Sequence, residues 1–164
     1  MTADPRLRLL SGTGADPVAP QVLSALDGTR IVVRTGLDMT GAHIAALAAF
    51  AGMAARLFGD VVPDPPVTFA PNWWDAPDSD ALLTALDLVR PHPAESPTRD
   101  VVVTFGALVD PGSWGIGGDD YTIRLGRDPQ PLGPAPTHAF GVHAAACLAI
   151  SQLLIEALGP SGFP

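Results

Sequence analysis

Apolar and polar positions fall into blocks with two different periods. Arg6-Leu7-Arg8-Leu9-Leu10 begins by alternating, as a short edge strand would, and a turn-rich stretch from Ser11 to Pro17 follows. Val22 to Gly28 reads as a short helix ended by glycine. Thr29-Arg30-Ile31-Val32-Val33-Arg34 is rich in β-branched residues and predicts a strand. The period then becomes helical: with Thr40 as N-cap, Ile44, Leu47, Ala48, Ala51, Ala54, Ala55 and Phe58 fall on one face, and Gly59 closes the helix. Val61-Val62 and Val67-Thr68-Phe69 offer a second strand interrupted by Pro63, Pro65 and Pro66, so the later piece is expected in the sheet. Ser79 caps a helix that runs to Val89 and stops at Pro91 and Pro93. Asp100 to Gly106 is an almost unbroken apolar run, suited to a strand buried on both faces. The glycine-rich Pro111 to Asp120 reads as a loop, Tyr121 to Leu125 as a further strand, and Arg127 to Thr137 as irregular. A final helix runs from Phe140 to Leu158 and ends at Gly159-Pro160.

Strands alternating with helices predict an α/β fold: a three-layer Rossmann-like sandwich with a largely parallel central sheet and helices on both faces. Residues 1–28 read as a leader with a short strand and helix, and residues 29–164 as a single α/β domain with no internal repeat.

Composition narrows the functions open to such a domain. Its nine basic side chains are all arginine and its net charge is −8. Without lysine there is no Schiff-base or pyridoxal-phosphate chemistry and no Walker-A lysine. An acidic chain with scattered arginines lacks the electrostatic footprint of a nucleic-acid binder. A high-GC genome would produce the same bias, but it would not restore the missing chemistry. Charged residues make up 16% and hydrophobic residues 47%, which leaves little charge to cover the surface and predicts a face for a protein partner or for a second copy, as in a dimer. The single cysteine, Cys147, excludes an internal disulfide and a cysteine-built zinc site. The N-terminus lacks an apolar signal core, and the most apolar stretch, Ala139 to Leu158, is interrupted by His143, Ser151, Gln152 and Glu156. The expectation is a cytoplasmic protein with no membrane partner.

In open α/β sheets, ligands sit beyond the carboxyl ends of the strands. Those ends lead here into Gly36 and Asp38, Trp73 and Trp74, and Gly106 and Asp110, with Asp119 and Asp120 before the next strand. Together these form the candidate ligand-binding set, and Arg34 or Arg124 could meet an anionic ligand there by bidentate hydrogen bonds. The first loop lacks the G-x-G-x-x-G pattern that lets backbone approach a pyrophosphate. Gly115-Ile116-Gly117-Gly118-Asp119-Asp120 has two readings. Paired aspartates suit Mg²⁺, whereas glycine and Asp together build a turn; with no third carboxylate in view the turn is preferred. His143 and Cys147, one helical turn apart, lack the orienting third group of a catalytic set. Neither a nucleophile elbow nor a zinc-protease motif is present. The sequence therefore leans away from an enzyme, with no catalytic residue, metal site or cofactor expected.

The last helix, Phe140-Gly141-Val142-His143-Ala144-Ala145-Ala146-Cys147-Leu148-Ala149-Ile150-Ser151-Gln152-Leu153-Leu154-Ile155-Glu156-Ala157-Leu158-Gly159, opens with a glycine and a run of small residues and closes in Leu-Gly. It resembles the small-residue helix of adenylyltransferases related to ubiquitin-activating enzymes, the bacterial ThiF/MoeB/HesA group. The α/β stretch before it resembles the region ahead of the ThiF fold in some actinobacterial proteins. The family's ATP loop, lysine and zinc-binding cysteine pairs have no counterpart here, so no family active-site residue carries over. The resemblance implies an accessory domain in a ThiF-type system, with adenylation performed by another polypeptide. Two functions follow: a non-catalytic domain binding a protein or peptide partner or itself, or a small-molecule or nucleotide-binding enzyme using the strand-end crevice.

Overall fold

A computed structural model describes residues 19–35, 41–63, 97–106, 113–128, 130–131 and 140–159. Helix α1 spans Ala19–Asp27, strand β1 Thr29–Thr35, helix α2 Gly41–Leu57, strand β2 Asp60–Pro63, strand β3 Arg99–Phe105, strand β4 Trp114–Gly118, strand β5 Ile123–Gly126 and helix α3 Phe140–Leu158. The strands form one five-stranded sheet in the order β2-β1-β3-β4-β5, parallel except for the antiparallel β4–β5 pair. The α/β class with a largely parallel sheet is thus as expected. The predicted edge strand at residues 6–10, the Thr40 cap, the strand at 67–69 and the helix after Ser79 lie outside the described residues.

Alternation along the strands decides which side faces the core. Ile31 and Val33 of β1, Val101, Val103 and Phe105 of β3 and Ile116 of β4 are buried in one cluster with the helices. The described helices pack against one another on that face, α3 touching both α1 and α2 and lying over β4 and β5. In α2 the buried side is His43, Ala46, Leu47, Phe50, Ala51, Ala54, Ala55 and Phe58, alongside Ile44. Of the expected stripe only Ala48 is not buried; His43, Ala46 and Phe50 join it, and Phe50 meets Phe105 edge-on at 5.5 Å between ring centroids. In α3 the inward residues are Gly141, Val142, Ala145, Ala146, Ala149, Ile150 and Leu153. The helices end as glycine dictates: Gly28 N–H donates to the Ser24 carbonyl at 2.9 Å, and Gly159 N–H to that of Ile155 at 3.1 Å.

Two expectations need correction. Val61-Val62 does belong to the sheet, within β2. Pro63 is tolerated because it ends a strand at the sheet's edge, where its missing N–H breaks no ladder. The glycine-rich stretch read as a loop contains β4, between β3 and β5. Its glycines answer to a distant neighbour rather than to a turn: a Cβ on Gly115 would lie 2.1 Å from the Asp128 carbonyl oxygen, and one on Gly117 2.6 Å from that of Pro131. The backbone at Asp128, Gln130 and Pro131 lies so close over β4 that only glycine fits.

On the opposite face, Arg30 of β1 and Asp100 of β3 sit side by side in register. The Arg30 guanidinium donates to both carboxylate oxygens, at 2.9 and 2.7 Å. Val32, Val102 and Thr104 point to this same face, since their neighbours in sequence point to the core. Thr104 is fully buried, and its hydroxyl lies 3.5 Å from that of Ser113.

Candidate functional site

The carboxyl ends of the parallel strands come together at Thr35, Gly106 and Gly118, and the first turn of α3 abuts this end of the sheet. Of the sequence-predicted site residues, Gly106, Asp119 and Asp120 lie here. Gly36, Asp38, Trp73, Trp74 and Asp110 are outside the described residues. Gly106 is buried with φ of 95°, and its N–H donates to the Ile116 carbonyl at 3.0 Å, carrying the β3–β4 pairing one residue past β3.

Asp119 and Asp120 have separate duties. The Asp119 carboxylate accepts the Thr122 N–H at 2.9 Å and the Tyr121 N–H at 3.2 Å, closing an Asx-type turn between β4 and β5. These hydrogen bonds, Thr122's foremost, and the nearby Arg124 charge hold its carboxyl below the ordinary carboxylate range. Asp120 uses its backbone carbonyl, which accepts the Gly141 N–H at 3.1 Å and satisfies a donor at the start of α3. Gly141 is needed because a Cβ there would lie 2.2 Å from the Asp119 carbonyl oxygen. The pair thus builds a turn and docks a helix. Among the described residues no group of three or more His, Cys, Asp or Glu side chains could hold a metal ion.

His143 is half-buried, whereas Cys147 is exposed on the outer side of α3. His43, which the sequence did not single out, is fully buried at the start of α2, and desolvation pushes its imidazole below its ordinary pKa.

Among the described residues, the densest polar cluster lies at the opposite end of the sheet. Glu156, in the last turn of α3, bonds to Arg99 at the start of β3, to the indole N–H of Trp114 at the start of β4, and to Arg127 just past β5, the last at 2.8 Å. Arg99 also donates to the Glu156 carbonyl at 2.9 Å, capping one of the open carbonyls of the helix end. The Arg127 guanidinium stacks 4.4 Å above the Trp114 ring. The last turn of α3 has no basic residue of its own, so the sheet supplies the cations that its negative dipole end favours. The Glu156 side chain is only 15% exposed and every oxygen is engaged, which makes it a clamp and not a free acid.

The remaining functional signal is apolar. Phe140, Leu148 and Ile155 are 68%, 48% and 47% exposed, and with Cys147 and Ser151 they form the outer face of α3. Tyr121 and Ile123 are also exposed, in the β4–β5 turn and on β5. Phe140 and Tyr121 stand at the same end of the molecule, because Gly141 is hydrogen-bonded to Asp120. By length and composition α3 could cross a bilayer, but its inner side is part of the core.

Compared with family models, curated proteins and solved structures, the chain matches none.

Proposed function

We propose that this chain is a non-catalytic α/β domain that works by binding protein, an accessory to a ThiF-type adenylyltransferase whose chemistry resides in another polypeptide. The observation that carries this reading is the outer face of α3. Three large apolar side chains stand in water on one helix, in a chain otherwise acidic. Water-exposed apolar residues grouped on one face are what a partner surface requires. Three of the described carboxylates support the same reading, because Asp119, Asp100 and Glu156 are occupied by turns and ion pairs of the fold itself. The chain alone should then catalyse no ATP–pyrophosphate exchange. Titration with a ThiF-type adenylyltransferase should give a complex by light scattering, which Leu148→Glu weakens at least tenfold. A chain that activates a carboxylate by itself, or a complex indifferent to Leu148→Glu, would refute the proposal.

The finer architecture belongs to the same proposal. β2 and β3 flank β1 and run parallel to it, so the chain between them must cross β1. The first crossover, through α2, goes to one side of β1, and the second returns to the other side. If both are right-handed, the second must pass over the face opposite α2. Full burial of Thr104 on that face supports a cover there. A cover on that face makes the domain a three-layer Rossmann-like sandwich.

A further inference from the structure

We draw no further inference here: the strongest candidate, the exposed apolar patch of Phe140, Leu148 and Ile155 on the outer side of α3, belongs to the surface already described, and nothing in the structure shows what else covers it.

Discussion

Glu156 shows how much one side chain can hold in a fold with little charge. It joins the end of α3 to three separate strands through Arg99, Trp114 and Arg127. The arginines are about half exposed, so their ion pairs alone are worth little. The indole bond and the helix-end cap add to them. Glu156→Ala should cost about 2 kcal/mol, measured by urea unfolding, and Glu156→Gln less, since it keeps a neutral acceptor for the indole. His43 gives the fold a pH dependence of known sign. Burial lowers its pKa in the folded state, while the unfolded imidazole titrates near 6.5. Above about pH 6.5 the group is neutral in both states and has no effect. As the pH falls below that, the unfolded chain takes up the proton first, and stability drops by up to about 1.4 kcal/mol per pH unit until the folded pKa is reached. His43→Leu should remove this slope. Asp100 and Asp119 act lower: their carboxyls are depressed by the Arg30 and Thr122 bonds, so the stability they give is present above the carboxylate range and lost below it.

At the level of elements, the sequence could be read wherever a pattern is local. The β-branched runs of β1 and β3, the helical stripe of α2 and the apolar helix before Gly159 each carry their own signal. β4 does not. Trp114-Gly115-Ile116-Gly117-Gly118 has the composition of a loop, and Gly115 and Gly117 make sense only once Asp128, Gln130 and Pro131 lie against them. β2 was obscured by Pro63, whose place at a strand end on the sheet's edge depends on strand order. The Glu156 clamp was hidden for the same reason, its partners lying far away in sequence. Asp119 and Asp120 could be read as a turn from sequence, and the hydrogen bonds agree. Gly117→Ala tests the close approach. It should destabilise by ~1–3 kcal/mol through overpacking, whereas Gly52→Ala, where the nearest contact to an added Cβ is an ordinary 3.6 Å, should stabilise α2 by up to ~1 kcal/mol.

For the whole molecule, the described helices cover one face of the sheet, and the proposal supplies the cover of the other. If that face is covered, Val102→Asp buries a carboxylate and should cost at least about 2 kcal/mol. A cost near zero in chemical denaturation would mean an open face. The outer side of α3 sets the function proposed here, since it is what the domain offers to another protein. The most direct measurement is the rate at which a maleimide labels Cys147 as a ThiF-type adenylyltransferase is added. The rate should fall in proportion to the bound fraction and recover in Leu148→Glu. A rate unchanged at every adenylyltransferase concentration would contradict α3 as a binding surface.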